Sequence, residues 1–310
     1  MEVSKPRVVV VGSCMIDLVS YAPRLPRAGE TLTGRKFQQG FGGKGANQCV
    51  AAARLGAETA LIARLGDDSF GHEYLKALNK EGVQTGYVSI TKEMHTGMAQ
   101  IVVAECGENQ IVIVPGANRN LCVEDVQLAK ETIEAAKVLL FQLETPVEAT
   151  LAALKLAKGK GKRIVNAAPA VLKDTALFTE SDIFCINETE AEELLKIPVK
   201  SIEDGYKAAE KFRDLGCSAI VITLGSQGAI LSTQEDPTPY HIPVKKVQPV
   251  DTTGAGDAFL GAMAYYMAYH PQLSLKEIVH RACSVATISV QSPGTQSSFP
   301  YRNELPDALL

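Results

Sequence analysis

The chain has 310 residues, 46% of them hydrophobic and 21% charged, and 31 Lys plus Arg against 35 Asp plus Glu give a net charge of −4. Such a composition excludes a disordered or collagen-like chain and provides for one or two substantial cores. No basic block of the kind that phosphate-backbone binding needs is present, so nucleic acid is not an expected partner.

From the N-terminus, residues 7–11 read as a strand, but their apolar run is too short for a signal-peptide core, so secretion is not expected. A helix at 46–55, a strand at 59–63 and a helix at 70–81 follow. Further on come a helix at 123–136, strands at 137–141, 163–166, 183–186 and 219–223, and helices at 146–157, 189–195 and 203–215. The last helices are 257–269 and 275–290; the uncharged stretch 258–275 is broken by His270, Pro271 and Gln272 and falls short of the ~20 apolar residues of a membrane helix. Gly56, Gly82 and Gly216 stand just past three of these helices, where a left-handed cap is wanted.

Alternating short β-branched runs and helices predict an α/β fold with a mostly parallel central sheet flanked by helices. Two stretches break the alternation. Residues 15–39 and 96–114 are strand-like without intervening helices, and Glu105-Cys106-Gly107-Glu108-Asn109 reads as a hairpin turn. They are expected to pair as a small, discontinuous β lid over a cleft, with 1–14, 40–95 and 115–310 forming the core domain. An edge extension of the main sheet is the alternative. The seven cysteines, Cys14, Cys49, Cys106, Cys122, Cys185, Cys217 and Cys283, are odd in number and contain no C-x-x-C. They read as reduced thiols of a cytoplasmic protein.

Two glycine loops carry the chemistry. Gly40-Phe41-Gly42-Gly43-Lys44-Gly45 satisfies G-x-G-x-x-G, but the polar segment before it, Gly34 to Gln39, cannot be the buried strand that a dinucleotide fingerprint requires. It is either a tight turn or a polar ligand site that includes Asn47. In Asp251-Thr252-Thr253-Gly254-Ala255-Gly256-Asp257, two glycines free the backbone just before a long apolar helix, so amide groups can converge on an anion. Asp257 is either a favourable charge at a helix start or a proton acceptor beside that anion hole, as phosphoryl transfer requires. Asn187 and Glu190 fit both a capping box and a ligand site at a strand's carboxyl end. The segment Thr223-Leu224-Gly225-Ser226-Gln227-Gly228 is a nucleotide-cradling turn or an ordinary hairpin connection. Asp17 lies among apolar residues, where an unpaired buried carboxylate costs on the order of several kcal/mol, so it should face a cleft or ligand. Glu144 follows a buried strand, as a ligand residue or a solvated loop acid.

In this order the residues resemble the ribokinase family of carbohydrate kinases over nearly the whole chain, with Gly42-Gly43-Lys44-Gly45-Ala46-Asn47 as one signature and Asp251 to Asp257 as the other. The resemblance implies an α/β domain with a β lid often used for homodimer formation, and transfer of phosphate from ATP to a sugar's primary hydroxyl. It implies that Asp17, Gly43, Lys44, Gly45, Ala46, Asn47 and Glu144 hold the sugar, that Asp257 is the general base, and that Gly254, Ala255 and Gly256 form the anion hole. Asn187, the turn from Thr223 through Leu224, Gly225, Ser226 and Gln227 to Gly228, and Gly256 would serve the nucleotide, with Glu190 reaching Mg2+ through water. Asp251, Thr253, Ser289, Ser292, Gly294 and Ser298 match a potassium site. Cys283 and Asn166-Ala167-Ala168-Pro169 depart from the family pattern. Ribose, phosphorylated at its 5-hydroxyl, is the expected acceptor, because the polar set suits a small polyol better than a nucleoside. Fructose and adenosine remain alternatives within the fold. A catalytically silent sugar-binding regulator would not need the base and anion loop that this chain retains.

Overall fold

The computed structural model describes residues 5–171 and 174–310; the expected core segments' residues 1–4 and 172–173 lie outside the described residues. Four valines form β1 (Val8–Val11), and all four are fully buried. Val8 and Val10 enter one core and Val9 and Val11 the other, as the two-residue strand period dictates. The chain then leaves this sheet for β2 (Met15–Ala22) and β3 (Lys36–Gly42) and returns through α1 (Lys44–Arg54), β4 (Thr59–Gly66), α2 (Ser69–Lys80) and β5 (Gln84–Thr91). After β6 (Gly97–Ala104) and β7 (Asn109–Val114) come α3 (Val123–Leu128), α4 (Lys130–Ala135), β8 (Val138–Phe141), α5 (Val147–Ala157) and β9 (Lys162–Asn166). The remainder is α6 (Ala176–Thr179), β10 (Ile183–Asn187), α7 (Glu188–Leu195), α8 (Ile202–Asp214), β11 (Ala219–Thr223), β12 (Ala229–Thr233), β13 (Tyr240–Ile242), α9 (Ala255–Tyr269) and α10 (Leu275–Ser289).

The large sheet has the order β13-β12-β11-β10-β9-β8-β1-β4-β5, parallel except where β12 pairs antiparallel with β11 and β13. One apolar core lies under α1, α2, α9 and α10 and the other under α3, α4, α5 and α8. The second sheet, β3-β2-β6-β7, is the small separate sheet expected from residues 15–39 and 96–114. It continues past residue 39, because β3 runs on to Gly42 opposite Met15. Glu105 to Glu108 make its hairpin turn, with Gly107 at φ +90°.

One expectation is corrected: the single helix over 123–136 is two helices, with Ala129 at φ −92°, ψ 8° between them; no local propensity accounts for the break. Gln84–Thr91, with a Gly and alternating polar residues, adds the half-buried edge strand β5, which is not among the strands expected from the sequence. As expected, the polar segment before Gly40 is not a buried strand; it is a largely exposed strand of the small sheet.

Candidate active site

The parallel strands β1, β8, β9 and β10 deliver polar residues to one edge of the large sheet. Ser13 follows β1, Gln142 and Glu144 follow β8, Asn166 ends β9 and Asn187 ends β10. That edge, beyond the carboxyl ends of parallel strands, is where such sheets bind ligands. Helix α1 crosses it. Gly43, at φ +87°, starts the helix, and a Cβ there would lie 2.7 Å from the Met15 nitrogen, so only glycine allows this approach. The first amides of α1 are consumed by the protein itself. Lys44 N donates to Glu144 Oε2 (2.9 Å), Gly45 N to Ser13 Oγ (3.3 Å) and Ala46 N to the Ser13 carbonyl (2.9 Å), while Ser13 Oγ donates to Glu144 Oε2 (2.5 Å). The amides of Lys44, Gly45 and Ala46 are therefore not free, and the side chains of Lys44 and Asn47 are what this tight turn offers to a ligand.

The start of α9 is different. Gly254 caps it at φ +79°, Ala255 N folds back onto the Thr252 carbonyl, and the N–H groups of Gly256 and Asp257 have no acceptor among the described residues. Gly256 is exposed, and a Cβ there would meet nothing within 4 Å, so the helix start is open at this residue. Unpaired N–H groups at a helix start can bind an anion. Gly261 on the same helix lets its backbone approach α1 closely, since a Cβ there would lie 2.7 Å from the Gln48 carbonyl. The approach brings Asp257 against α1. Asn47 Nδ2 donates to Asp257 Oδ2 (2.9 Å) and Gln48 Nε2 donates to Oδ1 (3.0 Å). Both carboxylate oxygens are thus bonded to α1, while the charge also stands in the first turn of α9, where the helix dipole favours it.

Around Asp257 the charge is predominantly negative. Burial, with Glu144 and Asp257 nearby, pushes Asp17 up to about 7. Gly42 leaves room for that side chain, because a Cβ there would collide with both Asp17 carboxyl oxygens. Burial also raises Glu190, with Asp257 adding to the shift. For Lys44 burial works against the ammonium, but Asp257, Glu144 and Glu190 outweigh it and hold its pKa above the ordinary value. Lys44 thus faces three acids, Asp257, Glu144 and Glu190, with Asp17 also near Asp257 and Glu144, a site that suits hydroxyl donors or a cation.

Asn187 and Glu190 form the capping box of α7: Asn187 Oδ1 accepts from Glu190 N (2.8 Å) and Glu190 Oε2 from Asn187 N (2.9 Å). Only Oε1 of Glu190 is left for a water-bound ion. Thr223 to Gly228 is a hairpin turn into antiparallel β12, with Leu224 N bonded to the Gly228 carbonyl (2.7 Å). Its first residue, Thr223, stands level with Asn187 across the sheet. The loop of Asp251 is tied to the C-terminal loop: Oδ1 accepts from Thr253 N (2.9 Å), Oδ2 from Gly294 N (2.9 Å), and Val250 N donates to the Val290 carbonyl (2.8 Å). Burial disfavours the Asp251 carboxylate, but these donors outweigh it and lower its pKa. Ser289 and Ser298 donate to Ala286 and Thr295 carbonyls, which leaves hydroxyl lone pairs for a cation; Ser292 is exposed. Among the described residues no group of three or more His, Cys, Asp or Glu could hold a metal ion. A divalent ion would then come with the nucleotide phosphates, as Mg2+ commonly does.

Several site residues carry no sequence signal. Gln142, Gln48, Gln296 and Tyr74 are buried and joined in one network through Asp257 and Asn47: Gln296 Nε2 donates to Asn47 Oδ1 and to Tyr74 OH (both 2.9 Å), and Tyr74 OH donates to the Gly42 carbonyl (2.5 Å); buried Ser13 instead bonds Glu144. Ser13 and Gln142 had a usable cue, their places just after the buried strands β1 and β8.

The model of the pfkB family of carbohydrate kinases matches residues 5–302, and the chain belongs to that family. Within it, the chain is 49% identical over 304 residues to the ribokinase of Mus musculus, covering 97% of this chain and 94% of that protein. It is 37% identical over 295 residues to the deoxyribokinase of Salmonella typhi, covering 94% and 95%. Among solved structures, Arabidopsis thaliana ribokinase complexed with ribose and ATP superposes with a TM-score of 0.87 at 32% identity, covering 97% of each chain.

Proposed function

We propose that this chain is a kinase that transfers the γ-phosphoryl group of ATP to the 5-hydroxyl of D-ribose, giving D-ribose 5-phosphate. One observation carries the reading. Two unpaired helix N–H groups, those of Gly256 and Asp257, stand at the exposed start of α9 beside the Asp257 carboxylate, so a proton acceptor and donors for developing phosphate charge lie within one helical turn. Asp17, Lys44, Asn47 and Glu144 hold the sugar through their side chains, and Gly43, Gly45 and Ala46 line it as the backbone of the tight turn. Asp257 takes the hydroxyl proton, and the backbone from Gly254 to Gly256 receives the transferred charge. Asn187 and the Thr223 to Gly228 turn serve the nucleotide, and Glu190 reaches its Mg2+ through water; bound Mg2+ would neutralise phosphate charge. Similarity to mouse ribokinase and to the Arabidopsis protein complexed with ribose and ATP supports these assignments.

A site that hydrogen-bonds a hydroxyl discriminates against a substrate that lacks it, because its own polar groups are then stranded. Ribose is therefore expected to be the best acceptor, with 2-deoxyribose weaker by at least about tenfold in kcat/KM. The relation to a deoxyribokinase makes this the decisive comparison. A higher kcat/KM for 2-deoxyribose, fructose or adenosine in an acceptor panel would withdraw the ribose assignment.

Asp251, Thr253, Ser289, Ser292, Gly294 and Ser298 form a potassium site that orders the loop behind the anion hole. The expected result is a higher kcat in potassium than in sodium at equal ionic strength; equal rates would remove the site. Residues 15–39 and 96–114 act as a discontinuous lid domain that pairs two copies of the chain. The support is β7, an edge strand on which Ile111, Val112, Ile113 and Val114 are all roughly half exposed, a surface that calls for cover. Sedimentation as a monomer at micromolar concentration would exclude the pairing. Five thiols packed in the interior, Cys14, Cys49, Cys185, Cys217 and Cys283, fit a reducing, cytoplasmic setting.

A further inference from the structure

We infer that Gln48 is a positioning residue for the base, and that by occupying Oδ1 of Asp257 it directs the reaction proton to Oδ2. The inference rests on the reading of Asp257 as the general base. The two oxygens have different partners. Oδ1 accepts from Gln48 Nε2 at 3.0 Å, and Oδ2 accepts from Asn47 Nδ2 at 2.9 Å. Gln48 is fully buried and its carboxamide is held from more than one side. Its Oε1 accepts from Gln142 Nε2 at 2.6 Å, and its Nε2 also reaches Asn166 Oδ1 at 3.3 Å, while Asn166 Nδ2 donates to the Cys185 carbonyl at 3.1 Å. Gly12, against which Gln142 Oε1 packs, leaves the space that this arrangement needs.

The orientation of the Gln48 amide is dictated by its neighbours. A carboxylate can only accept and the Gln142 amide nitrogen can only donate, so turning Gln48 over would set donor against donor and acceptor against acceptor. Nor can the group swing away without stranding buried polar atoms at the ends of β8 and β9. Oδ1 is thus bonded to a fully buried amide that its neighbours hold in one orientation. Asn47, the partner of Oδ2, is by contrast one of the residues that hold the sugar, so it is Oδ2 that meets an arriving hydroxyl. In the transfer step the sugar O–H bond breaks and its proton passes to Oδ2. The sugar oxygen forms the new bond to the γ-phosphorus, and the bond from that phosphorus to the bridging oxygen breaks, releasing ADP.

The test is the pH dependence of kcat at saturating ribose and MgATP. The titratable groups that face Asp257 are Asp17 on β2, Lys44 on α1 and Glu190 on α7, with Glu144 beyond β8 acting on Asp17 and Lys44. All of them are common to the enzymes compared. Gln48→Met keeps the side-chain length but removes the donor that favours the carboxylate, so the acid limb is expected to move up by about one pH unit. The KM for ribose should stay within about twofold, since no ground-state sugar contact is lost. Gln48→Glu keeps the bond from Gln142 and sets a second carboxyl against Oδ1, so the pair retains a proton and the limb moves further up. If Gln48→Met and Gln48→Glu bind nucleotide, melt at lower temperature and keep the wild-type acid limb, Gln48 only packs and the inference is overturned. Asp257→Asn separates that failure from the other one: near-normal turnover there would remove the base itself, whatever Gln48 does.

Discussion

Replacing Asp257 by Asn is expected to lower kcat by ~10²–10⁴, the worth of a positioned general base. The loss should fall on the chemical step, with nucleotide binding retained or slightly tightened once a carboxylate no longer stands beside the phosphates. As a bare sequence, the position suggests that Asn would be structurally harmless, because it could still cap a helix. The structure changes that expectation. Asp257 does not cap α9; its two oxygens accept from two amide donors, Asn47 Nδ2 and Gln48 Nε2. An Asn side chain has one acceptor for those two donors, so one contact becomes donor against donor. Such a mismatch costs on the order of 1–3 kcal/mol, or several degrees in Tm for a chain of this size. Activity and stability should therefore fall together but by very different amounts, and a circular-dichroism melt beside steady-state kinetics measures both. A folded Asp257→Asn protein with near-normal kcat would reduce the residue to a structural acceptor.

The parts of this molecule that follow a local rule were readable in its sequence. Val8 to Val11 is a run that only a doubly covered strand explains, and the glycines past helices 46–55, 70–81 and 203–215 do adopt left-handed φ values of +98°, +78° and +103°. Gly254 and Gly256 before a long apolar stretch announced amides free to meet an anion. The remainder depends on tertiary packing. Gln48 and Gln142 look like surface residues in isolation, and nothing in their neighbours says that Gly261 will draw α9 close enough to bury the first of them. Gln296 lies about 250 positions from Asn47 in the chain and reaches it from a loop whose Gln296 and Phe299 carbonyls Arg54 holds. For the first glycine loop, sequence left a turn and a ligand site open. Ser13 and Glu144 decide the backbone's part, since they consume the amides that a ligand would need.

Gly254→Ala and Gly256→Ala, two residues apart, are expected to fail for opposite reasons. Gly254 sits at φ +79°, where an L-residue costs about 1–2 kcal/mol, and its new Cβ would lie 2.7 Å from Thr295 Cγ2 and 3.1 Å from the Phe299 ring. Thr295 and Phe299 flank Gln296, which bonds Asn47, so relief of the clash must shift either the loop or the start of α9. Removing or misaiming one anion-hole donor costs ~10²–10³ in kcat. Gly254→Ala should accordingly lose both Tm and turnover. Gly256 has ordinary helical backbone, and an added Cβ there would meet nothing within 4 Å, so Ala fits the folded protein without strain. Helix propensity even favours it by roughly 1 kcal/mol. Its methyl group would nonetheless stand in the space before the free Gly256 and Asp257 amides, where the transferred phosphoryl group has to sit. The expected result is an unchanged or higher Tm with kcat/KM for MgATP reduced by ~10²-fold or more, comparable to losing an anion-hole donor. A Gly256→Ala enzyme as active as the parent would mean that the open face of α9 is not where phosphate binds.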